Sequence, residues 1–192
     1  MNPFKVYEEI LNNYLHEETI PFLEKAWNES HRKYHNIDNH LNPLLIYIDR
    51  NRFRLNPYDY HALILAAFFH DAYYNPRNYK NNEGESIKRF IASYKNWDNR
   101  IRNMVIEMIE ATKYRKRPTT YLIRLFWDAD NADFYKGYEK LLENEKLLRK
   151  EFKHIPKKIY KKKRIEFLES NFKLFDNEVD RDLIKLIKYI NK

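Results

Sequence analysis

The chain has 192 residues, 36 basic and 28 acidic, for a net charge of +8, and its 43% hydrophobic content is too high for a disordered segment. The absence of cysteine excludes disulfide frameworks, thiolate zinc sites, iron–sulfur clusters and cysteine nucleophiles. Two glycines are too few for a phosphate-cradling loop or a dinucleotide fingerprint, while the basic balance suits an anionic partner as well as it suits nucleotide bias toward Lys, Asn, Ile and Tyr.

By surface scaling a folded chain of this size exposes roughly 9,900 Å² and hides about 70% of its surface, enough for one core. A single domain over residues 1–192 is therefore expected. Phe4, Tyr7, Leu11, Tyr14 and Leu15 fall on one face of a first helix. Pro21 and Pro43 suit the first turns of the next two. Asn56-Pro57 reads as an N-cap and first helical residue, opening a helix through Leu63, Ile64, Leu65, Ala66, Ala67, Phe68 and Phe69. A helix apolar on all sides belongs at the centre of a core. Residues 75–82 are polar and turn-rich, and a helix resumes near Glu85 with Ile87, Phe90 and Ile91. Asp98 caps another, which carries Ile101, Val105, Met108 and Ile109 on one face. After Pro118, Leu122, Leu125, Phe126 and Ala129 begin a helix, and the next break is Pro156. Two helical segments follow, around residues 165–172 and 179–190. No stretch alternates at period two, so the expected fold is all-α, a single-domain helical bundle. The longest apolar run, residues 62–69, is far short of the roughly 20 residues a spanning helix needs, and the N-terminus carries no targeting pattern. A soluble, cytoplasmic protein with no membrane partner is expected.

Histidines are unevenly placed. His31, His35 and His40 share one short segment, and His70-Asp71 ends the most buried helix. An aspartate is almost never buried unless it is paired or bound to a metal. Farther on, Asp128, Asp130 and Asp133 follow an apolar face. Asp130 and Asp133, three apart, share a helix face, and Asp128 points elsewhere. An ordinary acidic turn would give the same pattern.

Taken in order, these elements resemble the HD superfamily of metal-dependent phosphohydrolases, and within it the bacterial-type predicted HD phosphohydrolases. The likeness covers about residues 27–170, with 1–26 and 171–192 as flanking helices. It rests on Arg32, Tyr34, His35, Asn36 and His40, and on Phe69-His70-Asp71-Ala72-Tyr73-Tyr74. Asn82-Glu83-Gly84-Glu85-Ser86, Asp128-Ala129-Asp130, and Arg149 with Glu151 and Phe152 complete it. The resemblance implies an HD-type helical bundle. It implies one divalent metal ion (Mn, Fe, Co, Ni, Zn or Mg) held by His40, His70, Asp71 and Asp130. It also implies hydrolysis of a phosphate mono- or diester, a small phosphorylated substrate of the nucleotide kind. Tyr34-His35-Asn36 is similar to a cyclic-nucleotide phosphodiesterase segment, which gives His35 the role of proton donor to the leaving oxygen. The roles of His35 and His40 are open to exchange, and Asp128 is the reserve for Asp130. Glu83 is the candidate water-orienting carboxylate, and Arg32 and Lys113, with Arg115, are the candidate phosphate holders. Two departures stand out. His35 and His40 are five apart where the resemblance leads one to expect four, and residues 111–114 lack a histidine that relatives often carry. With no histidine between His70 and His154, a single ion is expected.

Two constraints come from the residues themselves. Two imidazoles and two carboxylates form a borderline-hard site suited to the divalent ions named above. Neighbours on a continuous helix diverge by about 100°, so His70 and Asp71 reach one ion only if the helix ends there. A rival function comes from the stretch 149–164, which opens with Arg149, closes with Arg164 and is dense in lysine. A basic helix of this kind tracks a nucleic-acid backbone, and the metal site would then be structural or decayed.

Overall fold

Eight consecutive apolar residues at 62–69 have no polar side to show to water, and in the folded chain all eight are fully buried. The structure is a computed structural model that describes residues 2–114 and 116–192. Eleven α-helices follow one another among the described residues. They are α1 (Pro3–Val6), α2 (Glu8–Tyr14), α3 (Thr19–Trp27), α4 (Asn42–Arg50), α5 (Pro57–Phe69) and α6 (Asn82–Ser93). Then come α7 (Asn99–Thr112), α8 (Tyr121–Asp130), α9 (Tyr138–Glu151), α10 (Lys157–Glu169) and α11 (Asn177–Asn191). There is no sheet among the described residues; the one β-type pairing is the bridge between Leu15 and Tyr94. The fold is all-α.

The apolar run belongs to α5, and α2, α4, α6, α7 and α8 surround it. Asn56 caps α5 by accepting the Asp59 N–H at 2.9 Å, and Pro57 fills the first helical position. Phe68 packs against Phe4 at 4.9 Å and Tyr7 at 6.0 Å between ring centres. Each large side chain buried along α5 stabilises the fold by roughly 1.5–3 kcal/mol relative to exposure. Asp49, an exposed residue of α4, accepts from the hydroxyls of Tyr7 and Tyr60, both at 2.7 Å, and so ties the α1–α2 junction and α5 to α4.

Three boundaries differ from expectation. The first apolar face is split at Tyr7 into α1 and α2. The helix begun at residue 122 does not run toward Pro156 but ends at Asp130. A short 3-10 turn (Ala132–Lys136) and Gly137 follow it before α9 begins. Gly137 has φ +82°, a conformation that costs glycine little and other residues more, which is why the chain turns there. Finally, α10 begins directly after Pro156 and closes at Glu169, ahead of the expected 165–172 span.

The exposed surface is 10961 Å², above the roughly 9,900 Å² that scaling gives. The excess accompanies a second, smaller apolar cluster. Leu141, Leu168, Val179, Leu183, Leu186 and Ile190 join α9, α10 and α11 beside the main core. Phe175, packed against this second cluster, stacks on the buried Trp127 of α8 at 5.3 Å. No helix among the described residues is long and apolar enough to cross a membrane.

Candidate metal centre

Four donor-bearing residues come close together from three places in the chain. His40 lies on a π-helical turn (Ile37–Leu41) that leads directly into α4. The Asn36 carbonyl accepts the His40 N–H and also the Leu41 N–H, both at 3.1 Å, so a five-residue step stands beside the four-residue step of an α-helix. The wider turn takes up the five-residue interval from His35 to His40. His70 and Asp71 come next, because α5 stops at Phe69 and both residues sit on the turn after it. The carbonyl of Phe68, at this helix end, accepts from the buried Trp27 indole N–H at 2.9 Å. Asp130 is the last residue of α8.

The donor atoms converge closely. His40 Nε2 and His70 Nε2 are 2.9 Å apart. Asp130 Oδ1 lies 3.2 Å from His40 Nε2 and 3.5 Å from His70 Nε2. Asp71 Oδ2 lies 3.6 Å and 3.4 Å from the same two nitrogens. Donors about 2.1 Å from a shared ion stand about 3.0 Å apart at right angles and about 3.4 Å apart in a tetrahedron. The observed separations fall around those values, so His40, His70 and Asp71 form a group that could bind a metal ion. Asp130 stands outside that three-residue group but brings a carboxylate oxygen within 3.5 Å of both imidazole nitrogens.

The surroundings prepare these atoms. His70 Nδ1–H donates to the Ala67 carbonyl at 2.9 Å, which leaves Nε2 as the lone-pair nitrogen of the neutral ring. Burial pulls the His70 imidazole down, but the Asp71 and Asp130 carboxylates outweigh it and raise the group to about 9. Burial likewise raises Asp71 and Asp130, yet the facing His70 and His40 hold both carboxyls below the usual range. The pocket favours a positive charge at its centre.

His35 sits beside the cluster, its ring centre 5.4 Å from that of His40 and 4.4 Å from that of Tyr74. Its Nδ1 bonds Glu151 Oε2 at 2.8 Å, and its side chain is 20% exposed. Glu151, the last residue of α9, is buried and takes five hydrogen bonds. Oε1 accepts the consecutive backbone N–H groups of Lys33, Tyr34 and His35 at 2.7, 2.8 and 2.9 Å. Oε2 accepts from His35 and from the Tyr74 hydroxyl at 2.8 Å. Burial acts to raise this carboxyl, but the His35 ring and these donors bring it down to about 2. One carboxylate thus shapes the 33–35 backbone and aims the His35 ring.

No protein-family model, curated protein or solved structure matches the chain. Asp128 is not at the centre: Arg117 binds it in a two-pronged pair at 2.9 and 3.0 Å, which leaves Asp130 as the carboxylate from α8. Arg32, expected to hold a substrate phosphate, is instead inside the protein with a fully buried side chain. Its Nη1 donates to the Asp71 carbonyl at 2.8 Å, and the guanidinium lies over Trp27 and Tyr74. It props the Asp71 turn from within and is closed to a phosphate arriving from solvent. Glu83 is half-buried in the first turn of α6 and has no hydrogen-bond or ion-pair partner among the described residues. Its neighbours Asn82 and Ser86 do act on the site, bonding the backbone of Asn75 and Tyr73 at 3.1 Å each. Lys113 is exposed just past α7, and Arg115 lies outside the described residues. In the basic stretch, Arg164 pairs with the buried Glu145 at 2.7 Å and Arg149 donates to the Phe152 carbonyl at 2.6 Å. Both ends of that stretch serve the fold, while Lys157, Lys158, Lys162 and Lys163 face solvent.

Sequence reading gave Glu151 no role. The signal was present: buried positions of α9 are Leu141, Asn144, Glu145, Leu148 and Glu151, a helical stripe with three polar residues in it. Polar residues on a core-facing stripe must be satisfied by something, and here Asn144 bonds Asp133 at 2.7 Å. Asp133 in turn accepts from the Tyr34 hydroxyl at 3.2 Å, which steadies the ring beside His40.

Proposed function

We propose that this protein is a metal-dependent phosphohydrolase of the HD type, acting on a phosphate mono- or diester of the nucleotide class. The observation that carries the proposal is the meeting of four nitrogen and oxygen donors within 3.6 Å of one another across each imidazole–imidazole and imidazole–carboxylate pair. His40, His70, Asp71 and Asp130 would hold one divalent cation. A cation in such a site supplies Lewis acidity toward a phosphoryl oxygen and acidifies water near neutral pH.

The chain's own residues supply the rest. The Asp71 and Asp130 carboxylates lower the charge that a phosphate meets, and the Nδ1–H···O bond of His70 orients the ring so that its other nitrogen faces the cluster. His35 is the proton donor to the leaving oxygen. Glu151 fixes its Nδ1 at 2.8 Å, turns Nε2 away from that bond, and stabilises the imidazolium before transfer. His40 is assigned to the cation and His35 to the proton, because only His40 is within reach of both carboxylates. The nucleotide substrate class rests on the sequence resemblance alone.

Metal analysis of the purified protein, followed by phosphate release from a panel of nucleotides, tests the proposal. The expected result is about one divalent ion per chain and release that Asp71→Ala abolishes. Absence of bound metal after reconstitution, together with no release sensitive to Asp71→Ala, would overturn it.

A further inference from the structure

A groove of about 630 Å³ opens between α3, the segment after Asp71, α6 and the residues that follow α9. This volume is within the range of about 300–1,000 Å³ typical of small-molecule sites. None of His40, His70, Asp71 and Asp130 lines it, so it is distinct from the four-donor cluster, and residues 72–75 form part of its wall.

Its charge is one-sided. Lys25, Arg77, Arg89 and Lys153 surround it, and among the described residues none of the four has an ion-pair partner. The two carboxylates of the wall are already engaged. Arg32 binds Glu29 at 3.2 Å, and His35 and Tyr74 bind Glu151 at 2.8 Å each. Unpaired cations around a concave wall repel one another, and the low-dielectric wall focuses their field, so an anion bound there relieves both. One cation is also held in place. The Arg89 guanidinium lies 4.7 Å from the centre of the Phe22 ring and 5.9 Å from that of Tyr73. Stacked so, its edge still offers N–H groups to phosphate oxygens.

We propose that this groove is a second anion site, which binds a small molecule carrying two or more linked phosphate groups. One phosphate would engage only part of the cation set; a chain of phosphates matches all of it, and the groove has room for an organic group besides. The proposal stands apart from the metal assignment, since no donor of the cluster takes part.

Calorimetric titration of the full-length chain with inorganic tripolyphosphate, in EDTA and at low salt, tests it. Saturable binding at one per chain is expected, with orthophosphate at least about tenfold weaker. Arg77→Gln with Lys153→Gln, two exposed side chains whose loss leaves the core intact, should weaken binding by more than about tenfold. Lys157→Gln with Lys158→Gln on α10 removes the same charge elsewhere and should change it less than about twofold. Asp130→Asn should leave it unchanged. Equal loss in the two double variants would mean non-specific attraction and overturn the proposal. So would loss in Asp130→Asn, which would move the ligand to the cluster, or a duplex oligonucleotide binding more tightly and displacing the tripolyphosphate.

Discussion

Replacing Glu151 by glutamine keeps the volume and one carbonyl oxygen but removes the charge that five donors address. Ionisation of this carboxyl is favoured in the fold, with its value brought from 4.5 to about 2 by His35, its backbone N–H and Tyr74 against the opposing effect of burial. That difference corresponds to about 3 kcal/mol at 1.36 kcal/mol per tenfold change, so Glu151→Gln should lose about 3 kcal/mol near neutral pH. In a chain this size the melting temperature would fall by roughly 6–12 °C. The pH dependence has a definite sign. A carboxyl depressed in the fold contributes fully above its unfolded value of 4.5, and the contribution is lost as pH falls through about 2. Urea unfolding of both proteins from pH 7 down to pH 3 should show the gap narrowing below about pH 4.5. A variant within about 0.5 kcal/mol of the parent at pH 7, or a gap that does not change with pH, would refute the role given to Glu151.

Other substitutions separate neighbours that the sequence leaves alike. Asp130→Asn should weaken divalent-ion binding by more than about a hundredfold in calorimetry, whereas Asp128→Asn should leave it within about twofold. The latter breaks only the pair with Arg117, which is 44% exposed, and should cost less than about 1 kcal/mol. Arg32→Met should cost at least about 2 kcal/mol in urea unfolding, because the Asp71 carbonyl loses a buried donor. A change within about 0.5 kcal/mol would return Arg32 to the surface role first expected of it. Phe68→Ala, at the centre of α5, should cost about 3–5 kcal/mol, and a cost below about 1 would contradict its place in the core.

The helical class is legible because it depends on local pattern. Asn56-Pro57 and the apolar residues after it specify α5 without reference to any other part of the chain, and Asp98 caps α7 through the Arg100 N–H in the same local way. Spacing brings His70 and Asp71 to notice but cannot choose between Asp128 and Asp130, since the choice lies in Arg117, eleven residues from Asp128. Arg32 looks like any basic residue until Trp27, Tyr74 and the Asp71 carbonyl enclose it, and two of those three are remote in sequence. Glu151 enters the sequence reading only through the likeness it shares with Arg149 and Phe152, because the N–H groups it accepts come from more than a hundred residues earlier. The break at Gly137 is not legible locally, since a single glycine between Lys136 and Tyr138 does not by itself end a helix, and only the backbone angle reveals its use.

The π-helical turn at Ile37–Leu41 has a consequence for how this region tolerates change. Inserting a residue into a regular helix rotates everything beyond it by about 100°, which would swing Leu44, Leu45 and Ile48 of α4 out of the core. A π turn holds one residue more than an α turn and returns the chain to the same helical phase. The stretch between Asn36 and Leu41 can therefore vary in length by one residue while α4 keeps its apolar stripe against α5. The turn that carries His40 is thus the place where a one-residue change of length ahead of α4 would be absorbed.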